Sequence, residues 1–177
     1  MKAPPFRYER PETLDGALAL LAENAGEARI LAGGQSLVAA LNFRLDAPEL
    51  LIDINRIAEL GGIGEERGVL RIGALARHFE VASSPLVHAR LPLIARAMKD
   101  VAHAAIRNRG TFGGSIALAD PAAEMPACCL AYGGRIVLAG LDGTRRVDAD
   151  DFFLGLYETA RDEGEIVTGV EFDRPAD

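Results

Sequence analysis

Apolar positions along the chain fall alternately into helical and extended spacing. Leu14, Ala17, Leu18 and Leu21 recur as one face of a helix, with Thr13 placed to cap its N-terminus. Ile30-Leu31-Ala32 reads as a short strand, residues 37–45 as helical, and residues 49–54 as a second strand. Val69-Leu70-Arg71-Ile72 is a third, and a short helix starts near Arg77. Pro92 opens a longer helix reaching about Lys99, striped by Ile94, Ala97, Met98 and Val101. Asp120-Pro121 reads as the N-cap and first position of another, striped by Met125, Cys128, Cys129 and Tyr132. Strand-like segments then follow at residues 135–138, 145–147 and 165–172, with a turn at Asp142-Gly143 and a short helix near residues 150–154. The glycine-rich, acidic stretch 61–68 reads as a boundary loop. The pattern predicts an α/β (α+β) chain in two units, residues 1–57 and 58–177.

Composition narrows the function classes. The 177 residues carry a formal net charge of −7, which argues against nucleic acid as the main partner, because a phosphate backbone needs a basic face. No apolar run approaches the roughly 20 residues of a membrane helix. Met1-Lys2-Ala3-Pro4-Pro5 has no hydrophobic signal region behind it, and the two cysteines are adjacent, so no disulfide framework is expected. These features predict a cytoplasmic protein.

Two glycine segments stand out. Ala32-Gly33-Gly34-Gln35-Ser36 precedes Leu37, and Thr111-Phe112-Gly113-Gly114-Ser115 precedes Ile116. Paired glycines permit positive φ and close approach of another group. Successive N–H groups in such a turn can form an anion-binding nest, and the following hydroxyl adds a donor. Either segment alone is equally an ordinary turn. Together they suit the two phosphates of a dinucleotide. Gly61-Gly62 and Gly133-Gly134 lack the hydroxyl, so the longer pattern separates the two kinds of pair. A valine at Gly33 or Gly114 is expected to block the ligand while leaving the fold largely intact.

Other chemistry is thinly represented. Neither a P-loop nor the G-x-G-x-x-G fingerprint occurs. His78, His88 and His103 lack metal-ligand spacing, and Cys128-Cys129 fits a buried helix face rather than a metal site. No nucleophile–base pair emerges, so no catalytic residue and no metal ligand are assigned. His103, Arg107 and Arg109 stand before the second glycine segment, where an arginine could neutralise a pyrophosphate or be a solvated loop charge. Glu124 allows two readings, stabilisation of a helix N-terminus or a carboxylate accepting from ligand hydroxyls.

Six segments occur in order over nearly the whole chain: Ala32-Gly33-Gly34-Gln35-Ser36-Leu37, Leu51-Ile52-Asp53-Ile54, Ile72-Gly73-Ala74, residues 107–115, residues 120–126, and Glu165-Ile166-Val167-Thr168-Gly169-Val170. In this set the sequence resembles the FAD-binding medium subunit of molybdenum hydroxylases, the carbon monoxide dehydrogenase and xanthine dehydrogenase family. The resemblance implies the two-subdomain FAD-binding fold of the vanillyl-alcohol oxidase type (PCMH-type), not a Rossmann fold. FAD would lie between the subdomains, and the family's C-terminal flavoprotein domain would be absent from this chain. It also implies that residues 32–36 and Thr111, Gly113, Gly114 and Ser115 wrap the pyrophosphate. Glu124 would hold the ribityl chain or the pyrophosphate-side hydroxyls, the main chain at Val167 would lie against the flavin ring, and Val101 would touch the ring. Many members have Asn at Ser115 and Asp at Glu124, and both differences keep hydrogen-bonding capacity.

By the same resemblance, the partners are a molybdopterin-binding large subunit and a 2Fe-2S small subunit. Electrons would pass from the iron–sulfur clusters through FAD to an external acceptor. Two alternatives to this reading remain open. One is a self-sufficient flavin oxidoreductase of the same fold, and the other is a non-redox remnant nucleotide-binding module.

Overall fold

The computed structural model describes residues 2–174. Its first unit is a small parallel sheet. β1 (Arg7–Glu9) and β2 (Ala28–Leu31) flank β3 (Leu50–Asp53), giving the order β1-β3-β2. β3 is buried along its whole length, as a central parallel strand must be. Between β1 and β2 runs α1 (Leu14–Glu23), whose Gly16 N–H donates to the Thr13 hydroxyl, the cap the sequence predicts. Its face of Ala17, Leu18 and Leu21 packs with Leu50 and Ile52. α2 (Leu37–Phe43) follows the first glycine segment and stops at Arg44, which takes left-handed backbone.

The second unit is a five-stranded antiparallel sheet. β4 (Ile63–Glu66) and β5 (Val69–Gly73) form a hairpin. Arg67 and Gly68 both have positive φ, the conformation of a two-residue hairpin turn. Half of the expected loop at 61–68, residues Ile63–Glu66, is therefore strand. Four short helices follow: α3 (His78–Ser83), α4 (Pro85–Arg90), α5 (Pro92–Ala97) and α6 (Ala104–Arg107). After them come α7 (Phe112–Leu118), α8 (Glu124–Ala131), β6 (Arg135–Gly140), β7 (Gly143–Asp148) and α9 (Ala149–Phe152). A small hairpin of β8 (Phe153–Gly155) and β9 (Glu158–Thr159) precedes β10 (Ile166–Asp173). β10 closes the sheet at its centre, in the order β4-β5-β10-β6-β7.

α8 starts later than Asp120-Pro121 suggests. The Asp120 carboxylate accepts from Ala122 N–H, and its carbonyl accepts from Ala123 N–H. A separate turn forms there, and the helix begins only at Glu124. The stripe of Met125, Cys128 and Cys129 is buried as predicted, and Tyr132 packs edge-on against Phe172.

A bulge in β10 between Val167 and Gly169 resets its alternation. It places Val167 in the same apolar cluster as Val170 and Phe172, despite their opposite parity in sequence. Ile166 and Ala139 pack with the first unit's core instead, against the set containing Leu50 and Ile54. The two sheets thus meet along an apolar seam, and the cleft described next opens beside it.

Candidate functional site

The two glycine segments face one cleft of ≈ 640 Å³. Every residue that the resemblance assigns to FAD lines it: Ala32, Gly33, Gly34, Gln35, Ser36 and Leu37 from one wall, Thr111, Gly113, Gly114 and Ser115 from the other. Glu124, Val101 and Val167 line it as well.

The two segments are built differently. The first is a true loop between β2 and α2. Only Gly34 has positive φ, at +71°. The backbone N–H groups of Gly33, Gly34, Gln35, Ser36 and Leu37 meet no acceptor among the described residues, nor does the Ser36 hydroxyl. Gln35 turns back, its side-chain amide donating to the Gly33 carbonyl at 3.0 Å. Five successive backbone donors without a protein partner leave this wall able to bind an anion.

The second segment is not a loop but the start of α7. Thr111 is its N-cap, accepting from Gly114 N–H at 3.2 Å. Phe112 N–H donates to Ala76, Gly113 N–H to Ala74, and Ser115 N–H to Thr111. These donors are spent inside the protein, so the expected second nest is absent from this segment. Its glycines serve packing instead. A Cβ on Gly113 would stand 2.5 Å from Ala74 Cβ, so only glycine lets α7 lie this close to the chain after β5. What the second segment offers the cleft is the Ser115 hydroxyl, which has no protein partner among the described residues.

Gly33 also departs from expectation. A Cβ there would stand 2.5 Å from the Arg109 carbonyl and 2.8 Å from Gly110 Cα. It marks the contact between the two walls, so valine at this position disturbs the fold before any ligand arrives.

The arginines before α7 do not line the cleft. Arg107 donates to the carbonyls of Val101 (2.8 Å) and Ala102 (3.0 Å) and holds the turn that presents Val101. Arg109 contributes its carbonyl, which accepts from Arg77. Glu124 sits in the first turn of α8, and its carboxylate has no hydrogen-bond partner among the described residues. It is free to accept from a ligand.

Three further residues of the site carried no role in the sequence reading. His78 is buried in the cleft wall, with Nε2 3.0 Å from the Thr111 carbonyl and Nδ1 without a partner. Burial pushes its pKa down, the bond to Thr111 opposes this, and the charge of Arg107 adds to the lowering. The imidazole is therefore neutral, with Nε2–H donating. Asn55 and Arg77 lie behind the cleft and connect its walls. Asn55 follows a strand end and Arg77 precedes a helix, but nothing in the sequence spacing pairs them.

Among the described residues, no helix is long and apolar enough to cross a membrane. Residues 4–175 match the family model described as "FAD binding domain in molybdopterin dehydrogenase". The chain is 46% identical over 176 residues to the carbon monoxide dehydrogenase medium chain of Hydrogenophaga pseudoflava, covering 99% of this chain and 61% of that one. Its fold superposes with a TM-score of 0.97 on the structure of carbon monoxide dehydrogenase from the same organism, solved without the Mo-pyranopterin moiety of its molybdenum cofactor. That match is at 45% identity, over 99% of this chain and 61% of that one. Quinoline 2-oxidoreductase from Pseudomonas putida 86 matches at a TM-score of 0.96 and 41% identity, with the same coverage. The chain thus spans about 61% of the length of these relatives. The fold is the FAD-binding PCMH-type fold and not a Rossmann fold. The chain belongs to the family of FAD-binding domains of molybdopterin dehydrogenases.

Proposed function

We propose that this chain is the flavin-holding part of a molybdenum hydroxylase medium subunit, with residues 1–57 and 58–177 as its two FAD-binding halves. Its partners are a molybdopterin-binding large subunit and a 2Fe-2S small subunit. Its role is to relay electrons from their iron–sulfur clusters to an external acceptor. When bound, FAD supplies the redox chemistry, because a flavin accepts electrons singly and delivers them in pairs.

The observation that carries this reading is the run of five unpaired N–H groups from Gly33 to Leu37 on a cleft shared with the N-terminus of α7. Those donors suit the pyrophosphate, with the hydroxyls of Ser36 and Ser115 beside them. The unpartnered carboxylate of Glu124 suits a ribityl hydroxyl, which it orients by accepting its hydrogen bond. Val101 and Val167 give an apolar surface for the flavin ring and exclude water from it. The neutral His78 keeps charge off this wall.

Titration of the purified chain with FAD, FMN and ADP tests the reading. FAD binds at one equivalent and more tightly than FMN, and ADP competes with it. Equal or tighter binding of FMN would show that the glycine segments do not hold a pyrophosphate.

A further inference from the structure

We propose that Arg77 and Asn55 form a positioning clamp that fixes the separation of the two glycine segments, and so the span offered to a pyrophosphate. This rests on the flavin-binding reading above.

The clamp is a continuous chain of hydrogen bonds between the two walls. Asn55 lies just beyond β3. Its Nδ2 donates to the Ala32 carbonyl at 2.8 Å and to Asp53 Oδ1 at 2.6 Å. Its Oδ1 accepts from Arg77 Nη2 at 2.6 Å. Arg77 Nη1 donates to the Arg109 carbonyl, the same oxygen that lies against Gly33. Two side chains therefore join Ala32, at the start of one segment, to Arg109, just before the other. A guanidinium suits this position because its planar fork presents two donors at fixed geometry to two acceptors.

Both ends of the clamp are anchored. The backbone of Arg77 bridges Thr111 in antiparallel fashion, and its N–H donates to Glu80 Oε2 at 2.7 Å. Its side chain thus starts from a point fixed to the second segment. Asn55 is oriented by Asp53, which is 6% exposed and is held by Tyr8 O–H and by Arg10 Nε at 3.3 Å. Asp53 Oδ1 also accepts from Asn55 N–H at 2.9 Å. Because a carboxylate only accepts, Asn55 must turn its NH₂ toward Asp53 and leave its carbonyl for Arg77. Neither Arg77 nor Asn55 lines the cleft, so both act through the segments they hold.

The test uses Arg77→Met, Arg77→Lys, Asn55→Leu and the Arg77→Met/Asn55→Leu double variant. In the ligand-free chain, amide exchange is read at Val38 and Ala40, whose N–H groups bond the carbonyls of Gly34 and Ser36. Arg77→Met speeds exchange there although Arg77 touches neither residue. With ligand, Arg77→Met and Asn55→Leu each weaken FAD by roughly tenfold, the scale of a lost charge-assisted bond. ADP, which carries the two phosphates without the flavin, weakens by the same factor. Arg77→Lys, able to keep one of the two bonds, restores part of the loss. The double variant loses little more than either single one, because one clamp is broken once. Unchanged exchange at Val38 and Ala40 in Arg77→Met, or unchanged FAD affinity in both single variants, overturns the clamp. Failure of the unsubstituted chain to bind FAD overturns the flavin reading instead, and the exchange measurement still decides the clamp.

Discussion

The carbonyl oxygen of Arg109 occupies the place that a side chain on Gly33 would need, 2.5 Å from an ideal Cβ. The two walls of the cleft therefore touch backbone to backbone. Gly33→Val must force them apart, at a cost of roughly 1–3 kcal/mol for overpacking. Thermal unfolding of the ligand-free variant falls accordingly, together with FAD binding. Gly64→Ala, where a Cβ meets nothing within 4 Å, is the control and leaves the midpoint close to that of the parent. A normal midpoint for Gly33→Val would show that the walls are not in contact.

His78 makes stability depend on pH. Burial holds its folded-state pKa below the ordinary value of 6.5. A base with a depressed pKa favours the folded state fully only above its unfolded pKa. Stability is therefore complete above pH 6.5, declines as the pH falls through that value, and stops declining below the folded-state pKa. Protonation would put a hydrogen on Nδ1, which has no acceptor among the described residues and lies 3.1 Å from an ideal Cβ on Gly110. Denaturant midpoints measured from pH 8 to pH 5 show this decline, and His78→Gln flattens it.

Asp53 gives a second, more acidic dependence. Burial opposes its ionisation, but the bonds from Tyr8 and Asn55 and the charge of Arg10 outweigh burial and hold its pKa below 3.8. Its contribution is present above pH 3.8 and is lost as the pH falls through the folded-state value. Tyr8→Phe removes one of those bonds and shifts acid unfolding to higher pH. Identical acid transitions in the two proteins would contradict this account.

Cys128 and Cys129 are core residues. Burial pushes both thiols up, and Cys129 is fully buried. Cys128→Ala and Cys129→Ala each cost roughly 1–2 kcal/mol of stability through lost packing. Flavin binding and reduction remain unchanged. In the native chain, alkylation of Cys129 is slow and accelerates only on unfolding. Loss of flavin without loss of stability in either variant would mean that the pair belongs to the site.

Where the signal is local, the sequence determined the outcome. The Thr13 cap, the stripe of Met125, Cys128 and Cys129, and the paired glycines with their hydroxyls all depend on residues within a turn or two of one another. Propensity and spacing suffice there. The thirteen residues that the resemblance assigned to a ligand all line one cleft. What each one does there depends on contacts distant in sequence. Gly33 is small because of Arg109, Gly113 because of Ala74, and Asn55 is oriented by Asp53 and Arg77. Thr111 to Ser115 became the start of a helix because Ala74 and Ala76 accept its first N–H groups.

The elements that escaped the sequence reading have the same explanation. β1 is exposed on its single-strand pattern and is a strand only because β3 pairs with it. β4 is likewise largely exposed and is held by β5. β8 and β9 define each other. A strand is completed by its neighbour's hydrogen bonds, and a cleft by the approach of two backbones. Residue type sets which approaches are sterically open, while the tertiary fold selects among them and decides which backbone donors are consumed inside the protein and which remain for a ligand.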